Sequence, residues 1–260
     1  MNSPVTSCQP TTSFLTVFFP AYNDAPSLPA LIAKTFQVVP PLVQDFEVIV
    51  VNDGSQDGTA EVLATLQNQY GERLRVVTHS ANRGYGGALQ SGIKAARHEL
   101  IFYTDGDGQY DVGELPSLLE KMLPGVGLVN GFKLRRHDPV HRIAIGWLYN
   151  HFARALFNVR LRDIDCDFRL FRRELLAGDG LVCSAGTVCV ELVKKLELSG
   201  TEVVEVGVSH YPRLHGHSQF FRLRSLCDTF CQITWLYFRY ALKGEMPRGG
   251  PANTGVRAGA

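Results

Sequence analysis

Five short apolar runs recur along the first half of the chain and constrain its fold more than any other feature: FLTVFF (14–19), FEVIVV (46–51), LRVVTH (74–79), ELIFYT (99–104) and VGLVN (126–130). Their near-continuous Val, Ile, Leu and Phe content suits strands buried on both faces. Helix-period segments lie between them, near 27–39, 57–70, 86–97 and 113–123. This alternation predicts an α/β fold with a mostly parallel sheet flanked by helices. With 260 residues, 45% of them apolar, the chain is long enough to bury one substantial core.

In such sheets a ligand sits in the crevice beyond the carboxyl ends of the strands. The residues that follow each run are polar: PAYND (20–24), NDGSQDG (52–58), ANRGYGG (81–87), DGDGQYD (105–111) and GFKLRR (131–136). Five such loops at one edge predict a single composite site. After residue 136 the alternation stops. A helical stretch at 141–159 is followed by a turn into a strand at 163–175, a helix near 187–199, the segment 201–220 and an amphipathic helix over 219–243. The tail GEMPRGGPANTGVRAGA has no apolar face and is predicted to be disordered.

The loop DGDGQYD resembles the opening of a calcium-binding EF-hand and fails that test. The required glycine falls on Tyr110 and the required glutamate on Pro116. An isolated D-G-D is ordinarily a solvated turn, but Asp105 and Asp107 lie where the crevice opens. Two adjacent carboxylates repel unless a cation neutralises them. Magnesium or manganese, which takes hard oxygen ligands and is shared with substrate phosphates, fits that need, with Gln109 offering a further oxygen. No phosphate-binding P-loop and no G-x-G-x-x-G is present. RGYGGAL (83–89) suits either close approach to a phosphate or close packing of a helix.

Lys plus Arg (26) nearly balance Asp plus Glu (25), so bulk charge gives no reason to expect nucleic acid as a partner. The six cysteines form no C-x-x-C pair and read as buried or incidental thiols of a reducing compartment. No basic-then-apolar leader opens the sequence, which predicts a cytoplasmic location, and the apolar run at 226–242 is too short and charged to span a membrane.

The segments FFPAYNDAPSLPALI, VIVVNDGSQDGTAEVL, ANRGYGGALQSGIKAA, YTDGDGQYD and DFRLFRREL, in that order, resemble family 2 glycosyltransferases of the GT-A, Rossmann-like fold, and within them dolichyl-phosphate mannose synthases and related polyprenyl-phosphate hexosyltransferases. The resemblance runs from about residue 14 to about residue 225. It implies a flexible 1–13, a nucleotide-sugar-binding half at 14–136, an acceptor-side half with amphipathic helices at 137–244 and a tail at 245–260. It further implies that Pro20, Tyr22 and Asp24 line the nucleotide pocket, with Val51 and Asp53 beside the nucleoside. By the same resemblance the family's D-x-D metal motif falls on Asp105 and Asp107, Gln109 would be a further metal ligand, and Thr104 and Gly106 would lie along the sugar. Magnesium or manganese would bridge the diphosphate of a nucleoside diphosphate sugar, and transfer would be a direct displacement with inversion. Lys133 stands where the synthases carry a phosphate-binding arginine, leaving Arg135 or Arg136 to compensate, and Arg213 is set near the phosphates. Gln219 stands where relatives have a lysine, and His215 and His217 flank Gly216.

The acceptor divides the readings. A polyprenyl phosphate is already ionised, whereas a soluble hydroxyl acceptor needs a base, for which Asp167 is the candidate, with Asp165 and Glu191 behind it. A non-catalytic module that binds nucleotide sugars is a third reading. Aromatic and basic residues at 141–159 and 219–243, among them Trp147, Phe152, Trp235, Phe238 and Arg239, suit either peripheral contact with the cytoplasmic face of a membrane or ordinary core packing.

Overall fold

The protein is described by a computed structural model covering residues 11–135, 140–176, 180–213, 223–244 and 257–258. The first five strands are β1 (Thr11–Ala21), β2 (Val43–Asn52), β3 (Leu74–Thr78), β4 (Leu100–Thr104) and β5 (Val126–Lys133). Between them lie α1 (Leu28–Val38), α2 (Thr59–Tyr70), α3 (Gly84–Ala95) and α4 (Leu115–Leu119). The second half adds α5 (Val140–Phe157), β6 (Phe168–Arg172), α6 (Thr187–Leu198), β7 (Glu202–Val208), α7 (Leu223–Leu242) and a two-residue β8 (Arg257–Ala258). All strands join one sheet in the order β3-β2-β1-β4-β6-β5-β7-β8. Every pairing is parallel except the two made by β6, which runs antiparallel to both β4 and β5. The mostly parallel α/β sheet expected from the sequence is therefore present.

The two-residue period of the strands sorts the core into two layers. Leu15, Val17, Phe19, Val48, Val50 and Phe102 face α1, α2 and α4. Phe18, Ile49, Val51, Ile101 and Tyr103 face α3, α5, α6 and α7. Burial of both faces is the reason the strand sequences show no polar alternation.

Two features position the carboxyl edge. The parallel ladder continues past the strand ends, Asp53 N–H donating to the Ala21 carbonyl at 2.9 Å and His79 N–H to that of Asn52 at 2.9 Å. The reversed β6 pairs Phe168 with Thr104, so Asp167 comes level with the turn that follows β4. Sequence reading foresaw a strand there but not its direction or its place between β4 and β5.

α5 and α7 divide their side chains between two environments. Ala153, Phe157, Ile233, Leu236 and Tyr240 are core, whereas Trp147, Leu148, Phe238 and Leu242 are exposed by 58%, 65%, 59% and 88%. Among the described residues no helix is long and apolar enough to cross a membrane.

Candidate active site

The loops after β1 and β2 brace each other. Asn23 sits in the left-handed region (φ 58°), where its N–H donates to Ser55 Oγ at 3.0 Å and its Oδ1 accepts from Gln56 N–H at 2.8 Å. Asn52 Oδ1 accepts from Ser55 N–H at 3.1 Å, and Asp57 Oδ1 accepts from the N–H of Thr59, the first residue of α2, at 3.0 Å. These residues do the turn work, which leaves Asp53 for another role.

Asp53 is buried, and its Oδ1 meets His79 Nδ1 at 2.5 Å and the Arg83 N–H at 2.8 Å. His79 Nε2 lies 2.8 Å from Ser91 Oγ on α3. The sequence reading missed His79; a histidine at the carboxyl end of a strand, where the ligand crevice opens, was the available signal. Pro20 and Val51 are register partners on β1 and β2, and both are buried. Asp24 is also buried, its Oδ2 accepting from the Tyr22 N–H at 3.0 Å. Burial first, then repulsion from Asp107 and Asp57, pushes the Asp24 carboxyl up to about 6 against the pull of the Tyr22 amide and Arg213.

The turn after β4 is docked on the end of β1. Gly106 N–H donates to the Pro20 carbonyl at 3.1 Å, and the Gly106 carbonyl accepts from Ser27 Oγ at 2.8 Å. A Cβ at Gly106 would come within 2.9 Å of the Pro20 oxygen, so glycine is required by close approach. The turn holds two carboxylates side by side. Asp105 Oδ1 accepts from the Tyr85 hydroxyl at 2.8 Å. Asp107 Oδ1 accepts from Gln109 N–H at 2.9 Å, and its Oδ2 pairs with the Arg213 guanidinium. Burial, followed by repulsion from Asp167 and Asp107, holds the Asp105 carboxyl well above the usual range. Burial likewise raises Asp107, opposed chiefly by Arg213. Such a pair binds a hard cation through oxygen donors favourably, because the cation removes the repulsion. Gln109 Nε2 donates to the Tyr211 carbonyl at 3.0 Å, fixing the amide beside this turn. Asp111 accepts from Gly113 N–H at 2.6 Å and caps the turn leading to α4. The Thr104 hydroxyl is buried with no hydrogen-bond partner among the described residues.

Asp167 lies across from this turn. Its Oδ1 is approached by Tyr103 OH at 3.3 Å, Cys189 Sγ at 3.3 Å and Arg169 Nη1 at 3.4 Å. Cys189 is buried, as expected of the cysteines, and neighbours the candidate site.

Two expectations change, and one open choice is resolved. Lys133, expected at a phosphate, has its ammonium 2.6 Å from the Asp165 carbonyl and 3.5 Å from Asp163 Oδ2, because the 163–167 segment folds over the end of β5. Glu191 is not at the site: its carboxylate accepts from the N–H groups of Val182 (2.9 Å) and Cys183 (2.8 Å). RGYGGAL serves helix packing, since Gly86 N–H donates to the Ser184 carbonyl at 2.9 Å and a Cβ there would lie 2.0 Å from the Cys183 oxygen. Arg136, His215, Gly216, His217 and Gln219 lie outside the described residues; of the ends expected to be flexible, 1–13 and 245–260, residues 11–13 belong to β1 and 257–258 form β8, and the others lie outside the described residues.

A family model, Glycosyl transferase family 2, matches residues 16–178, more than half of the chain. The undecaprenyl-phosphate 4-deoxy-4-formamido-L-arabinose transferase of Aeromonas hydrophila is 29% identical over 210 residues, covering 79% of this chain and 62% of the relative. That of Pseudomonas aeruginosa is 28% identical over 220 residues, covering 85% and 64%. The chain therefore spans less than two thirds of the length of these curated relatives. Among solved structures, glucosyl-3-phosphoglycerate synthase from Mycobacterium tuberculosis, in complex with Mn2+, UDP and phosphoglyceric acid, aligns with a TM-score of 0.65 at 21% identity, over 92% of this chain and 81% of its own. A mannosyltransferase from Pyrobaculum calidifontis, in complex with GDP-Man and Mn2+, aligns with a TM-score of 0.61 at 20% identity, over 94% and 72%. Both likenesses are of fold.

Proposed function

The chain belongs to glycosyl transferase family 2, and from that premise we propose that it moves a hexose, with inversion, from a nucleoside diphosphate sugar to a polyprenyl phosphate at the cytoplasmic face of a membrane. The observation that carries this reading is the Asp105–Asp107 turn, held at the carboxyl edge of the sheet with Arg213 against it. The curated relatives are named for transfer to undecaprenyl phosphate, which supports the acceptor class. The exposed apolar faces of α5 and α7, with Arg239 stacked 5.4 Å over the Trp235 ring, support peripheral contact with a lipid surface.

The donor set at the turn fits magnesium or manganese, held by Asp105, Asp107 and Gln109. When bound, such an ion would offset the negative charge that develops on the leaving diphosphate. Asp53, fixed by His79 and the Arg83 amide, presents its second oxygen to hydroxyl or ring N–H donors of the nucleoside. Asp24, Tyr22, Pro20 and Val51 complete that wall, and Thr104 and Gly106 border the sugar. Arg213 supplies a positive charge next to the phosphates.

A second reading, with a soluble hydroxyl acceptor, is favoured by two placements: Lys133 is engaged at Asp163 and Asp165, and Asp167 lies by the metal turn. In that case Asp167 takes the hydroxyl proton as the acceptor oxygen bonds to the anomeric carbon. The bonding pair of the broken C–O bond then leaves with the nucleoside diphosphate.

Manganese-dependent binding tests the donor half. A sugar nucleotide such as GDP-mannose or UDP-glucose is expected to raise the melting temperature only with Mn2+ or Mg2+ present, and EDTA or Asp105→Asn is expected to abolish the rise. A rise that survives chelation would overturn the metal-dependent reading.

A further inference from the structure

We infer that Arg169 is a positioning residue for Asp167, fixing one carboxylate oxygen and leaving the other for a hydroxyl acceptor; the inference deepens the second, hydroxyl-acceptor form of the transferase reading above and rests on it. Arg169 is the largest fully buried side chain in the described structure. Antiparallel β6 sets it between its register partners Tyr103 on β4 and Asn130 on β5. Its guanidinium is used on all sides. Nε donates to Asn130 Oδ1 at 2.7 Å, Nη1 to the Tyr103 hydroxyl, and Nη2 to the Ile164 carbonyl. Asp167 stands two residues earlier, just ahead of β6, and Nη1 also reaches its Oδ1 at 3.4 Å.

Tyr103 and Cys189 converge on the same oxygen, Oδ1. Among the described hydrogen bonds none is made to Oδ2. The backbone beneath is tied down as well: Arg169 holds the Ile164 carbonyl and Lys133 that of Asp165.

Folding alone does not call for a charge here. Burying a guanidinium costs several kcal/mol, and an apolar residue of similar volume commonly packs in such a place at no loss of stability. The neighbourhood does call for one. Asp105, Asp107 and Asp167 crowd one edge of the sheet and repel each other. A fixed cation on β6 holds Asp167 inside that crowd, where an unrestrained carboxylate would swing toward water.

The test uses the whole chain with Mn2+ and GDP-mannose or UDP-glucose, following transfer to farnesyl phosphate, glycerol and water. Arg169→Met is expected to lower kcat at least about thirty-fold with donor KM changed less than about two-fold. Arg169→Lys should recover a substantial part of that loss. Asp167→Asn should cost as much as Arg169→Met, and the double variant no more than either, because the two act as one unit. If Arg169→Met does not fold, Tyr103→Phe, which deletes only the hydroxyl between guanidinium and carboxylate, enters the same cycle with Asp167→Asn. Losses that multiply, or a loss confined to KM, overturn the inference and leave the transferase reading standing. A wild-type chain whose melting temperature responds to neither sugar nucleotide with manganese overturns both.

Discussion

Asp24 is a residue whose placement sets stability against the nucleotide-binding role proposed for it. Its carboxyl is buried, close to Asp107, and its folded pKa of about 6 lies above the ordinary 3.8. Between those values the folded chain binds more protons than the unfolded chain, so stability falls as pH rises through that window. At neutral pH the cost is on the order of 3 kcal/mol. Asp24→Asn keeps an acceptor for the Tyr22 amide and removes the charge. We expect it to raise the melting temperature at pH 7, with the gain fading below pH 4, and to weaken sugar-nucleotide binding. Equal melting curves at pH 7 would show that the carboxylate is relieved by something other than a donor-bound cation. Asp24, Asp105 and Asp107 were legible in the sequence as polar residues after apolar runs. The pairing of Asp53 with His79 was not, since the two are 26 positions apart and meet only through strand pairing.

At the scale of elements, α6 and the segment before it carry structure that the sequence made look chemical. Glu191 is almost fully buried, bound to two backbone N–H groups and 3.3 Å from Lys195 Nζ. Glu191→Ala would strip the Val182 and Cys183 amides of their acceptor and leave the Lys195 ammonium unpaired. A loss of about 2–4 kcal/mol is expected by chemical denaturation. A loss of turnover with unchanged stability would return Glu191 to the list of candidate bases. The glycines of α3 have the same lesson. Gly86 allows the helix to seat against the carbonyls of residues 183 and 184, a contact between segments nearly a hundred residues apart in sequence. Local sequence cannot separate that use from close approach to a phosphate, because both need only a missing Cβ.

For the whole molecule, the decisive asymmetry is that α5 and α7 bury one face in the core and leave aromatic and aliphatic side chains in solvent on the other. On the proposed membrane reading, each accessible aromatic would contribute area to an interfacial docking surface. A Trp147→Ala, Phe238→Ala double variant is expected to lose at least about ten-fold in binding to vesicles of anionic lipid while its melting temperature changes by less than about 3 °C. Unchanged vesicle binding would remove that face from the membrane reading. The sequence by itself determined the class of fold, because strands buried on both faces must be apolar throughout and the helices between them must be amphipathic. It also determined the edge at which the candidate site gathers, because strand ends in a parallel sheet are where polar loops collect. Only the tertiary structure decided which way β6 runs. That single reversal sets Asp167 level with Asp105, seats Arg169 between Tyr103 and Asn130, and turns Lys133 toward the segment before the strand. Strand direction depends on pairing partners far away in the chain, and no local pattern of apolar and polar residues encodes it.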